Sequence, residues 1–156
     1  MTLPKIGHKA PAFTLVDANG TRVSLADFAG KPVVLYFYPK AMTPGCTVQA
    51  CGVRDAKGAF AKVGAVVLGV SADPPARLAK FADKEGLNFT LLSDEDHAVC
   101  EKYGVWQEKT MAGRKYLGIV RTTFVVGADG KIAHVMAKVN TKTHAEDVLA
   151  VLRGMA

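Results

Sequence analysis

Two cysteines, Cys46 and Cys51, stand in the segment TPGCTVQAC that begins at Thr43. Thr43-Pro44 reads as a helix start, with Thr43 at the N-cap and Pro44 at the first helical position, where a missing N–H leaves nothing unsatisfied. Cys46 then falls in the first helical turn. Unpaired backbone N–H groups and the positive end of the helix dipole favour a thiolate there, and the thiolate is the reactive form of cysteine. Ionisation alone gains about thirtyfold at best at neutral pH, offset by falling nucleophilicity. A fast reaction therefore needs further groups that orient a substrate and stabilise charge on a leaving atom. An isolated cysteine is more often an inert core residue; the cap, the proline, Gly45 and the second cysteine favour the reactive reading here.

The spacing of the pair carries its own geometry. On a regular helix, residues five apart have Cα atoms roughly 8 to 9 Å apart and lie about 140° apart around the axis. A disulfide needs about 7 Å or less. Cys46 and Cys51 are thus either two unrelated thiols or a redox pair that bonds only when the first turns unwind.

The elements that must hold this segment are legible on both sides of it. Val33 to Tyr38 is an apolar, β-branched and aromatic run of strand length, so it delivers the TPGC turn to the carboxyl end of a buried strand. Before it, a strand near Ala12 to Val16, the turn Asn19-Gly20, a partner strand Thr21 to Ser24 and one helical turn ending at Gly30 form an opening hairpin, a lid on a sheet edge. The helix begun at Thr43 is expected to run to about Ala61, softened by Gly52 and Gly58. A second apolar strand, Ala65 to Ser71, precedes Pro74-Pro75 and a helix to Glu85 with Leu78, Phe81 and Ala82 on one face. Asn88 to Leu92 is a short strand, and Ser93 is expected to cap a helix Asp94 to Tyr103, closed by Gly104. Val105 to Leu117 reads as a polar loop. Ile119 to Val126 and Lys131 to Val135 flank the turn Ala128-Asp129-Gly130, and His144 to Arg153 is an amphipathic helix with Val148, Leu149, Val151 and Leu152 buried. Alternation of strands and helices predicts an α/β fold with parallel pairing at its centre.

Length and composition set the remaining bounds. A chain of 156 residues, 49% hydrophobic and 22% charged, is expected to form one globular domain over residues 1–156. A domain of this size needs neither disulfides nor metals to fold. The odd cysteine count, with thiols at 46, 51 and 100, does not resemble a secreted disulfide framework, and MTLPKIGHKAPAF has no apolar core of signal-peptide length. A cytoplasmic protein is expected. No apolar run approaches the eighteen or so residues of a membrane span. The net charge of +6 is dispersed, with Arg114-Lys115 the only adjacent basic pair, which reads as a solvated surface rather than a nucleic-acid footprint.

YFYPKAMTPGCTVQACGVRD resembles the active-site segment of the peroxiredoxins, thiol peroxidases on a thioredoxin-like fold, and in particular their bacterioferritin comigratory protein (peroxiredoxin Q) branch. KAPAF near the start, LSDEDHAVCEKYGVW at 92 to 106 and VRTTFVVGADGKI at 120 to 132 extend the resemblance over essentially the whole chain. It implies a thioredoxin-like fold with a central mixed sheet flanked by helices. It implies Cys46 as the peroxidatic cysteine, Thr43 as the hydroxyl contacting thiolate and peroxide, Arg121 as the guanidinium over the sulfur, and Pro39, Pro44 and Gly45 as the substrate pocket. From the residues alone, Arg121 is equally a strand-end cation reaching solvent. Cys51 matches the resolving cysteine of the branch, so the Cys46 sulfenic acid is expected to become an intramolecular disulfide, recycled by thioredoxin or a similar dithiol. No cysteine beyond position 100 offers a resolving thiol near the C-terminus. Gln49, one turn along the helix from Cys46, reads as an exposed helix glutamine ahead of the alternative, a polar contact to the site, and Cys100 is expected as a half-buried spectator. A zinc site on His97 and Cys100 lacks two ligands, so no metal or cofactor is expected, and the branch inclines the reading to a monomer.

Two other functions use the same thiols. A protein thiol-disulfide oxidoreductase suits the fold, but the Cys-x-x-Cys spacing of such enzymes is missing. A redox sensor signalling through a Cys46–Cys51 disulfide would oxidise once and stop.

Overall fold

The computed structural model describes residues 3–155. Strands β1 (Thr14–Asp17) and β2 (Arg22–Ser24) form the opening hairpin, followed by a 3-10 turn over Leu25–Phe28. The sequence then runs β3 (Val33–Phe37), α1 (Pro44–Asp55), α2 (Lys57–Lys62), β4 (Val66–Ser71), α3 (Pro75–Glu85) and β5 (Thr90–Ser93). After these come α4 (Ala98–Lys102), β6 (Trp106–Met111), β7 (Arg114–Ile119), β8 (Thr122–Val126), β9 (Ile132–Met136) and α5 (His144–Met155).

Seven strands make a mixed sheet in the order β2-β1-β5-β4-β3-β8-β9. Its centre, β3, β4 and β5, is parallel, as the alternating strands and helices predicted. β8 and β9 add antiparallel strands on one side, and β1 pairs antiparallel with β5 on the other. The opening hairpin therefore extends the sheet rather than covering its edge.

Every residue of β3 is buried, so its pleat divides the interior in two. Val34, Tyr36 and Tyr38 join Cys46, Ala50, Leu78, Val148 and Leu152 on one face. Val33, Leu35 and Phe37 join Cys100, Tyr103, Phe124 and Ile132 on the other. The valine, leucine, isoleucine and phenylalanine side chains among them each stabilise the fold by about 1.5 to 3 kcal/mol when fully buried. The same alternation puts Cys46 and Cys100 on opposite sides of the sheet.

Three sequence expectations are corrected. The helix after Cys46 breaks at Ala56, whose φ of −93° and ψ of 8° close α1 before α2 begins; Asn88 Nδ2 takes the Arg54 carbonyl at 3.2 Å and so withdraws it from a continuing helix. Ser93 is a strand residue whose hydroxyl donates to the Asp73 carbonyl at 2.6 Å. Asp94 does the capping instead, accepting from the Val99 and Cys100 N–H groups, and α4 starts only at Ala98. The expected loop from Val105 is a hairpin, β6 paired with β7. Its turn, Ala112-Gly113, has φ of 53° and 79°, the conformation of a two-residue hairpin turn, which usually announces itself through Asn-Gly or Asp-Gly.

Candidate active site

The carboxyl end of β3 passes into a loop that is clamped before the helix begins. Asp73 Oδ2 accepts from the Ala41 N–H at 2.8 Å, and Arg77 Nη2 donates to the Ala41 carbonyl at 3.1 Å. Asp73 and Arg77 are themselves paired at 3.2 Å, and the Ser71 hydroxyl donates to the same carboxylate. Between this clamp and the helix, Met42 holds a left-handed φ of 65°. Such a conformation persists in a residue with a side chain only where the surroundings enforce it.

Helix α1 starts as the sequence predicts, with Thr43 extended at the N-cap and Pro44 at the first position. The Thr43 carbonyl accepts from the Thr47 N–H at 2.9 Å. Its side chain does not cap the helix: the hydroxyl donates to the Lys40 carbonyl at 2.7 Å, which leaves the oxygen's lone pairs toward solvent or a bound donor. Pro39 and Gly45 are half-buried, and Pro44 is exposed at the rim. A Cβ placed on Gly45 would stand 3.4 Å from Arg121 Nη2, so the glycine lets a guanidinium lie against the helix start.

Cys46 is buried at 2% exposure and is a free thiol. Arg121, between β7 and β8, brings Nη2 to 3.4 Å from its sulfur. The half-buried Arg121 is thus not a strand-end cation reaching solvent. Its other fork nitrogen, Nη1, donates to Gln49 Oε1. Gln49 is fully buried rather than on an exposed helix face; its Nε2 meets His144 Nδ1 at 3.2 Å, and His144 Nε2 meets Thr123 Oγ1 at 2.8 Å. Burial lowers the His144 pKa to about 4, with the Arg121 charge adding to the effect and Asp147 opposing it. A second cation approaches from β6, where Lys109 Nζ donates to the Ile119 carbonyl at 2.9 Å. Burial and then the Arg121 charge lower its pKa.

Cys51 lies on the same helix, half-buried, with its sulfur donating to Glu85 Oε1 at 3.7 Å. Burial raises its pKa first, Glu85 adds to the rise, and the Arg54 charge opposes it. Arg54 also ties down the end of α3 by donating to the Glu85 carbonyl at 2.5 Å. Cys100 is fully buried rather than half-buried, and its pKa is strongly raised by burial and by Asp94.

Sequence reasoning named Cys46, Cys51, Thr43 and Arg121, of which the structure brings Cys46 and Arg121 together; it did not name Asp73, Arg77, Lys109 or His144, nor the burial of Gln49. A pointer to His144 existed in its position at the head of the last amphipathic helix, where the buried stripe starts. No comparable signal marked Asp73 or Arg77, which act on a loop more than thirty residues earlier. Among the described residues, no group of three or more His, Cys, Asp or Glu is placed to hold a metal ion.

A buried thiol at a helix start, beneath a guanidinium, on a mixed sheet flanked by helices defines a thioredoxin-like thiol peroxidase. The AhpC/TSA family matches residues 6–135, and the chain belongs to that family. It is 56% identical over 149 residues to peroxiredoxin Bcp of Escherichia coli K12, covering 96% of both chains. A bacterioferritin comigratory protein of Xanthomonas campestris, whose structures concern alkyl peroxide reduction, superposes with a TM-score of 0.90 at 37% identity, over 97% of this chain and 99% of that one. A PrxQ structure from Xylella fastidiosa gives a TM-score of 0.93 at 33% identity, with 99% of each chain covered. The protein is a peroxidase of the peroxiredoxin class, an oxidoreductase that uses a thiol.

Proposed function

We propose that Cys46 is the peroxidatic cysteine of this peroxidase and that Cys51 resolves its oxidised form. The Cys46 thiolate attacks one peroxide oxygen, the O–O bond breaks, and the sulfur becomes a sulfenic acid while the other oxygen leaves as alkoxide or hydroxide and takes a proton from solvent. Arg121, with Nη2 3.4 Å from the sulfur, is the observation that carries this reading. A fixed cation beside the reacting atoms stabilises the charge that develops on the leaving oxygen. Thr43 supplies an acceptor for the peroxide proton, and Pro39, Pro44 and Gly45 line the approach.

The Cys51 sulfur then attacks the Cys46 sulfenic acid, forming the disulfide and releasing water. A dithiol protein of the thioredoxin kind returns both cysteines to thiols. Hydrogen peroxide and organic hydroperoxides both fit this chemistry, since the attack is on an O–O bond and the alkyl group stays outside the bonds that change. The reading further takes residues 1–156 as a single thioredoxin-like unit, monomeric and cytoplasmic, with no nucleic-acid or membrane partner. The dispersed charge supports the absence of a nucleic-acid partner, and no described helix is long and apolar enough to cross a membrane.

A coupled assay with thioredoxin, its reductase and NADPH tests the proposal. Continuous peroxide-dependent NADPH oxidation, abolished in Cys46→Ser, is the expected result. Insulin reduction without peroxide would mark a dithiol exchanger instead, and a single oxidation without turnover would mark a sensor.

A further inference from the structure

The hydrogen bonds behind Arg121 form a chain in which each partner's role determines the next. Arg121 Nη1 can only donate, so the Gln49 atom that faces it must be the amide oxygen. Gln49 Nε2 is then the amino group, a donor, and it faces His144 Nδ1 at 3.2 Å. His144 Nδ1 must accept, which leaves the proton on Nε2, 2.8 Å from the Thr123 hydroxyl. This chain crosses three elements, α1, α5 and β8, and Gln49 and His144 are at most 1% exposed.

We propose that His144 is a positioning residue for the peroxidase reaction: its neutral, Nε2-protonated imidazole locks the Gln49 amide so that its oxygen holds the Arg121 guanidinium against the Cys46 sulfur. The proposal rests on Cys46 being the peroxidatic thiol. A flipped Gln49 amide would set an NH2 group against the guanidinium, donor against donor, and Arg121 would lose the acceptor of its second arm, keeping only the Cys46 sulfur. An amide has no intrinsic preference between its two orientations, so its neighbours set it: Arg121 selects the oxygen on one side, and His144 holds the amino group on the other.

The surroundings keep the imidazole neutral. The Tyr36 ring from β3 packs edge-on at 5.3 Å, Arg121 presents positive charge, and Asp147 on the same helix is the one acidic group among its charged neighbours. Burial and the Arg121 charge outweigh Asp147. A protonated His144 would need to donate from Nδ1, which only the flipped amide could accept.

Nitrogen NMR of the imidazole in the reduced protein tests the assignment directly. The Nε2–H tautomer is expected at neutral pH, in wild type and in Cys46→Ser alike; the Nδ1–H tautomer would overturn the proposal. Gln49→Glu replaces the amide with an acceptor on both oxygens, so Nδ1 must donate, and the His144 titration is expected to move up toward neutral pH. An unmoved titration would also overturn it. In the peroxidase assay, His144→Leu should lower kcat/KM for peroxide by roughly tenfold to a hundredfold, the scale on which partners behind a first contact act. His144→Asn, which keeps an acceptor toward Gln49, should recover most of that loss. Equal rates in a folded Leu variant and wild type would sink the positioning role. A failure of the peroxidase reading is separable, because wild type would then not turn over peroxide although the tautomer stands.

Discussion

Arg121 grips Cys46 and Gln49 with the two arms of one guanidinium, Nη2 at 3.4 Å from the sulfur and Nη1 on the amide oxygen. A planar fork does both at once; a lysine ammonium has neither the geometry nor the second arm. Arg121→Ala is expected to lower the rate of Cys46 oxidation by about 10²- to 10³-fold, and Arg121→Lys to recover little of it. Stopped-flow oxidation with hydrogen peroxide measures both, and a lysine variant at wild-type speed would show that charge alone suffices.

Cys51→Ser should leave the first oxidation intact and block the disulfide. A sulfenic-acid trap added with peroxide is then expected to label Cys46, visible by mass spectrometry, and turnover with thioredoxin should fall sharply. Normal recycling would assign resolution to another thiol or to direct attack by the reductant.

The other thiol is poorly placed for that task. Cys100 reaches neither solvent nor Cys46, being fully buried across the sheet from it with its pKa pushed up by burial and Asp94. Cys100→Ala should retain both turnover and the disulfide, and an alkylating reagent should leave Cys100 unmodified in the folded protein. Rapid labelling of Cys100 under native conditions would contradict this.

Disulfide formation should unwind α1. A helical Cys46 and Cys51 are roughly 8 to 9 Å apart at Cα, beyond the reach of a disulfide, so the oxidised protein should have lost helix over about residues 43 to 53. Amide hydrogen exchange is expected to rise there on oxidation while β3, buried along its whole length, stays protected. Equal protection in both states would mean that the sulfurs meet without unwinding.

Acid should weaken the fold through His144. Its pKa is about 4 in the folded protein and near 6.5 when exposed. The unfolded chain therefore binds the extra proton first as pH falls, so the stability His144 supports is complete above about 6.5 and is lost progressively down to about 4. The loss approaches about 3 kcal/mol. Denaturant midpoints for wild type and His144→Phe should diverge less at pH 4.5 than at pH 7.5, and a constant gap would refute the linkage.

The buried parallel strands were legible because a strand covered on both faces is a continuous apolar run, as at Val33 to Phe37 and Val66 to Ser71. The start of α1 was legible from Thr43-Pro44 alone. β6 and β7 were not, since their exposed residues, among them Lys115, Tyr116 and Leu117, carry no core-facing alternation and Ala112 is an unusual residue for a left-handed turn. The break at Ala56 depends on Asn88, a partner no local pattern announces. Gln49 was misplaced for the same reason. A glutamine on a helix belongs at the surface unless something satisfies it inside, and its two partners lie 72 and 95 residues away in the chain.

Gln49 stands between the two cysteines, within the stretch that must uncoil before their sulfurs can meet. Closing the proposed disulfide is therefore expected to pull the amide away from Arg121 and His144 and to release the guanidinium in the same movement. On the proposed cycle, peroxide and reductant would then meet different conformations of this segment. Such a cycle would have a direction, because the oxidised molecule would not engage a second peroxide until a dithiol had let the helix wind up again.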